Sequence, residues 1–232
     1  MELAGVLKRL EALAEPEKIA FKQEKFGIAA NNSLGIYQKD LKELARQIGK
    51  NDELALALYD TGIYEARLLT SRLYNPKKIT RQQMNKWARE FENWEICDSF
   101  SMGFFTASPY ALEKALQWSD HKKEFIKRAA FAMMASYGFV NKQDTNEVFE
   151  QFFPLIERES WDERIYVKKA VNWALRSIGK RNVDLQEQAI EVAHRIAAQG
   201  SKPALWIAKD ALRELQKPSV KIQDHPRSIY RA

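Results

Sequence analysis

Along nearly the whole chain, apolar residues recur three and four positions apart, the spacing that gathers them on one face of an α-helix. No stretch alternates apolar and polar residues as a half-buried strand does. The periodicity predicts helices over residues 2–14, 16–26, 38–48, 51–61, 63–74, 81–93, 109–118, 122–137, 144–158, 162–179, 184–199 and 202–216. Local punctuation agrees: Thr80 precedes RQQMNKWAREF as a side-chain cap, Ser108 and Pro109 read as an Ncap and N1 pair, and Gly49, Gly138 and Gly200 stand where helices end. Residues 218–232, PSVKIQDHPRSIYRA, lose the periodicity and hold two prolines. They are expected to form a mobile C-terminal tail behind a single helical repeat domain over 1–217.

Short loops make consecutive helices antiparallel, and many helices joined that way form either a bundle or a stack of helix pairs. From 109 to 216 the segments pair at intervals of about 40 residues, the period of HEAT-type units. The expected fold class is therefore all-α, a solenoid of antiparallel helix pairs.

Composition narrows the setting. In 232 residues, a 45% hydrophobic share supports a real core, and 37 Lys and Arg against 31 Asp and Glu give a formal charge of +6. That balance favours a polyanionic partner. A lone cysteine, Cys97, rules out an internal disulfide framework and a zinc ribbon, and it suits a reducing cytoplasm. The stretch MELAGVLKRLEALAEPEK interleaves charges with apolar residues, unlike a signal peptide, and the run AAFAMMA at 129–135 is too short to span a bilayer. A soluble cytoplasmic protein with no membrane partner is expected. Gly-rich phosphate loops, HExxH and GxSxG are missing, and His121, His194 and His225 lack ligand spacing. No metal and no cofactor are expected.

Three stretches carry candidate chemistry. In DERIYVKKAVNWALRSIGKRN, Val167, Ala170, Val171, Ala174, Leu175 and Ile178 supply the core stripe, leaving Lys169, Trp173, Arg176 and Lys180 on a separate one. An indole among three cations reads as a surface that neutralises phosphates and offers a plane to a sugar or base. The alternative is a solvated basic face with Trp173 wedged against a neighbouring helix. In HKKEFIKRAAFAMM, Lys122, Lys123, Lys127 and Arg128 cluster at a helix start. Arg128 is suited to gripping a phosphate with its planar fork, or to pairing with Glu124 one turn earlier. In NWEICDSF, a helix would project Trp94 and Asp98 from one face. Asp98 then reads either as a functional acid or as a cap or ion-pair member, and Trp94 as a functional or a core aromatic.

Taken together, ENWEICDSF, FIKRAAFAMMASYG and ERESWDERIYVKKAVNWALRSIGKRN resemble the DNA alkylation repair proteins of the AlkD type, the HEAT-like repeat DNA glycosylases. The likeness runs over roughly residues 20 to 217. It implies a right-handed superhelical solenoid of the HEAT-like or ARM repeat type, whose concave basic face holds duplex DNA. The implied activity is excision of cationic N3- or N7-alkylated purines by hydrolysis of the N-glycosidic bond. Carried over by motif, Asp98 is the catalytic acid, Trp94 and Trp173 contact the damaged nucleotide, and Arg128 contacts DNA. Lys127, Lys169, Arg176 and Lys180 join it as phosphate contacts. The implied partner is alkylated double-stranded DNA, met by a monomer associated with the nucleoid. Two other functions fit the same architecture: a noncatalytic binder of branched or distorted DNA, and a HEAT-type scaffold for protein partners.

Overall fold

The computed structural model describes residues 2–231. Helices α1 (Leu3–Ala12), α2 (Glu17–Phe26), α3 (Gln38–Ile48), α4 (Asp52–Asp60), α5 (Tyr64–Leu73), α6 (Arg81–Arg89) and α7 (Trp94–Ser101) come first. They are followed by α8 (Ala111–Trp118), α9 (Glu124–Val140), α10 (Asn146–Glu150), α11 (Phe153–Arg158), α12 (Ile165–Gly179), α13 (Val183–Ala198), α14 (Lys202–Leu215) and α15 (Arg227–Tyr230). Among the described residues there are also short 3₁₀ turns and no strand. No helix among them is long and apolar enough to cross a membrane. Contacts divide the chain into two compact units, residues 1–100 and 101–232.

In the first unit, amphipathic helices bury one stripe each. Val6 and Leu10 of α1, Leu41 and Leu44 of α3, and Leu54 and Leu58 of α4 are all buried. Asn51 caps α4 by accepting from the Leu54 amide at 3.0 Å, and Thr80 caps α6 through the Gln83 amide at 3.1 Å. An aromatic cluster closes the core around the end of α7. Tyr59 and Trp87 lie 5.0 Å apart between ring centres, and Phe100 sits 5.5 Å from both Trp87 and Phe91.

The second unit is a two-layer stack. Contacts at a sequence offset of 38 recur through it: Arg128 to the Tyr166 carbonyl, Gln188 to Glu150, Arg195 to Glu157, and Asn172 to Asp210. They place α9, α12 and α14 side by side and parallel in one layer. The segments α10 and α11 lie parallel to α13 in the other. The pairs α8 with α9, α10 and α11 with α12, and α13 with α14 are therefore successive repeats. Helix α9 is buried all round from Ile126 to Tyr137, as an interior helix must be. Helix α12 buries the predicted stripe from Val167 to Ile178. Its last residue, Gly179, lies where a Cβ would come within 2.8 Å of the Ala189 methyl, so only glycine permits that packing of α12 on α13.

Several predicted boundaries move. The helix expected over 144–158 is broken into α10 and α11 because Pro154 sits in the first turn of α11 and has no amide to continue a ladder. The one expected over 81–93 stops at Arg89, and a separate helix begins at Trp94. Ser108 caps no helix; it accepts from the Tyr110 amide at 3.3 Å in a turn, and α8 starts at Ala111. Gly138 lies inside α9 rather than at its end, and a Cβ there would meet the Arg181 guanidinium at 3.2 Å. The expected mobile tail is docked. The Gln223 and His225 amides donate to the carbonyls of Lys180 and Arg181 at 2.9 and 3.0 Å, and Asn182 donates to the His225 carbonyl at 2.7 Å.

Lys127 is also relocated. It is 4% exposed, and its ammonium lies 2.5 Å from Glu159 and 3.2 Å from Asp162. Arg158 and Arg164 bind the same two carboxylates from outside. Burial opposes ionisation of Asp162, but bonds from Arg164 and Lys127 outweigh it and hold the carboxyl below its ordinary range. Lys127 is thus a joint between successive repeats and no phosphate contact, since a phosphate would have to enter the core to reach it. Replacing it leaves two buried carboxylates short of a cation. Lys127→Met should lower the unfolding free energy by about 3 kcal/mol in urea titration; a loss under about 1 kcal/mol would show the joint to be dispensable.

Candidate functional site

In the first unit, α7 is positioned by a buried polar network. Asn93 precedes it, and its side-chain oxygen accepts from the amides of Glu95 at 2.9 Å and Ile96 at 3.2 Å. Its side-chain nitrogen donates to the Ala29 carbonyl at 2.8 Å. The Tyr64 hydroxyl lies 3.0 Å from both Asn93 and Glu95. Lys22, 4% exposed, comes within 3.4 Å of Glu95. Burial, with the Glu95 carboxylate beside it, pushes the Tyr64 phenol far above its ordinary value, so Tyr64 stays a neutral donor. The preceding loop is held too, by Arg67, which bonds Glu92 at 2.9 Å and the Glu90 carbonyl at 2.8 Å.

This anchoring sets the face that α7 leaves outward. Ile96, Cys97 and Phe100 turn into the core, while Trp94 and Asp98 are half-buried one turn apart. The Trp94 indole nitrogen donates to the Phe26 carbonyl at 2.8 Å, which fixes the ring at the end of α2. Asp98 is less buried than Asn93 and Glu95. Sequence reading singled out Trp94 and Asp98 but missed Asn93, although an Asn directly before an apolar helical run is an N-cap signal.

In the second unit, the separate stripe of α12 is formed, but not as a uniform row of phosphate contacts. Lys169 is exposed and Trp173 half-buried. Arg176 lies 3.5 Å from Asp210 and bonds Glu214, and Lys180 reaches Glu214 at 2.5 Å. Arg176 and Lys180 are therefore already compensated by α14. Arg128 is buried, with a guanidinium nitrogen 2.7 Å from the Tyr166 carbonyl at the start of α12. Beside this stripe, Lys168 stands 4.9 Å from the ring centre of Trp206, which is 40% exposed.

Comparisons with known proteins agree with this architecture. A family model for DNA alkylation repair enzymes matches residues 6–215, and the chain belongs to that family. The protein Lin0241 of Listeria innocua serovar 6a (strain ATCC BAA-680 / CLIP 11262), named as uncharacterized, is 24% identical over 190 residues, covering 81% of this chain and 83% of its own length. A solved structure described as "a new family of proteins related to the HEAT-like repeat DNA glycosylases with affinity for branched DNA structures" matches with a TM-score of 0.70. It is 21% identical and covers 84% of this chain and 83% of that one. At that identity the likeness establishes the fold, an all-helical HEAT-like repeat.

Burial disfavours the charged form of Glu214, but its bonds to Lys180 and Arg176 outweigh this and hold the carboxyl below the ordinary glutamate value of 4.5. A depressed acid stabilises the fold above its unfolded value, and that contribution is lost as pH falls through the folded one. The carboxyl carbon of Glu214, followed by NMR, should therefore titrate with a midpoint below 4.5. A midpoint at or above that value would mean that Arg176 and Lys180 are not paired in solution.

Proposed function

We propose that the protein is a DNA glycosylase that releases cationic N3- or N7-alkylated purines from duplex DNA, with Asp98 as the catalytic carboxylate. The observation that carries this reading is the pairing of Trp94 and Asp98, half-buried one turn apart on a helix that the buried Asn93 and Glu95 hold in place. Membership of the DNA alkylation repair family supports it.

Alkylation at N3 or N7 makes the purine cationic, so it leaves as a neutral base and needs little protonation. Positive charge moves onto the deoxyribose, and a carboxylate facing that sugar lowers the barrier. At about 4 Å and an effective dielectric near 20 the attraction is on the order of 4 kcal/mol. Confined to the transition state, that is roughly a thousandfold in rate. Asp98 also orients the attacking water. The face of Trp94 favours a cationic sugar by about 0.5–2 kcal/mol, and Trp173 is a further contact to the DNA. Lys169 meets backbone phosphates, and Arg128, buried against the Tyr166 carbonyl, holds the start of the helix that carries it.

A second reading is a noncatalytic binder of branched DNA, the affinity attributed to the solved relative. Incubation of the purified protein with methylated duplex separates the two. Release of 7-methylguanine or 3-methyladenine supports the glycosylase, whereas salt-sensitive binding without release supports the binder.

Asp98→Asn should keep duplex affinity while base release falls by at least about a hundredfold; wild-type release in that variant would remove Asp98 from the reaction. For Trp173→Ala, weaker binding and slower release are both expected. If neither moves, Trp173 is a packing residue.

A further inference from the structure

The segment after α14 lies outside the residues that the family model matches, and it closes one side of a cleft whose other side lies within them. The cleft, of about 430 Å³, opens between the C-terminal halves of α12 and α14 and the chain that follows them. Its floor is Arg176 and Lys180, already bonded to Glu214, and the exposed Arg213 beside them is bonded to Asp210. Its rim is Lys217, Ser219 and Lys221, all exposed. Five cations thus face two carboxylates, and both carboxylates are engaged by the floor. Among the described residues, neither rim ammonium has an ion pair within 4.0 Å. The rim is nevertheless held in place. Upstream, the Val220 amide turns back to the Lys217 carbonyl at 3.0 Å, and downstream the Gln223 and His225 amides are tied to the end of α12 at 2.9 and 3.0 Å.

A surplus of positive charge in a concave site with a hydroxyl beside it and a backbone already ordered is suited to a phosphate oxyanion. We propose that this cleft is a phosphate subsite in which Lys217, Lys221 and Ser219 receive a backbone phosphodiester of DNA. Glu214 acts there as the competitor that rations Arg176 and Lys180. The choice of a DNA phosphodiester rests on the DNA-binding reading above, and the cleft itself does not depend on Asp98. Because Glu214 opposes the ligand, its removal has an effect that no folding defect imitates: binding should improve.

The test compares the full chain with Lys217→Glu/Lys221→Glu, with Glu214→Gln, and with Glu187→Gln as a control that makes the same charge change on an exposed position of α13. Duplex affinity is measured across a salt series. The double variant should bind at least about tenfold more weakly with a salt dependence shallower by about two, and Glu214→Gln should bind about three- to tenfold more tightly with a steeper one. The Glu187→Gln control should be unmoved. In a second arm, inorganic phosphate is titrated at constant ionic strength while the amide signals of residues 217–221 are followed by NMR. Saturable shifts with duplex binding unchanged in every variant would assign the cleft to free phosphate and overturn the DNA source. No shifts together with unchanged duplex binding would overturn the subsite altogether. A weaker double variant beside an unaltered Glu214→Gln would also overturn it, since net charge alone explains that pair. Base release by the wild type is scored separately: its absence sinks the glycosylase reading and leaves the cleft result standing, and its presence does not rescue a cleft that fails the salt series.

Discussion

A pair of short helices has more apolar surface than it can cover by itself, and in the second unit the next pair along the chain must cover it. That constraint governs the polar contacts as well. Once α9, α12 and α14 lie parallel, residues 38 apart become neighbours, and Arg128 meets the start of α12 as Asn172 meets α14. Charges at such joints leave water and must be matched, which accounts for Lys127 between Glu159 and Asp162. Arg181 solves the same problem without a bonded carboxylate. It donates to the carbonyls of Gly138, Asn141, Lys142 and Asp144 at 2.7–3.3 Å and lies 4.0 Å over the ring of Phe149. The orphaned end of α9 and the loop after it are thereby satisfied.

The first unit applies a similar economy at one helix. Asn93 does three things at once: it caps α7, bonds the Ala29 carbonyl and accepts from Tyr64. With Glu95 held by Tyr64 and Lys22, the rotation of α7 about its axis is set by buried polar bonds as well as by apolar packing. The outward placement of Trp94 and Asp98 follows from that rotation. On the glycosylase reading proposed above, rigid support behind that acid serves electrostatic stabilisation of a transition state, because donors or carboxylates that must reorganise lose much of their advantage.

The formal charge of +6 overstates what a polyanion would meet. Lys22, Lys127, Arg128 and Arg181 are buried, and Arg176 and Lys180 face the carboxylates of α14. Exposed cations such as Lys169, Lys217 and Lys221 carry more of the outward field. Net charge describes solubility and long-range attraction, and contacts are decided by which cations keep their hydration.

Much of this was legible without coordinates. Helical periodicity, the core stripe of α12 and the cap at Thr80 are local patterns, and a local pattern acts in the same way wherever its segment is placed. The repeat period could be read from the spacing of the segments, and the pair Trp94 and Asp98 from a four-residue interval. Pro154 carried a legible break that the periodicity of its surroundings masked. The docking of 218–231 and the burial of Lys127 had no such signal, because both depend on partners more than thirty residues away. The sequence by itself thus determined an all-helical repeat and one acid beside one indole. Tertiary structure alone decided which of the cations were consumed as joints and which were left facing water, since ion pairing across stacked helices depends on distance in space and not along the chain.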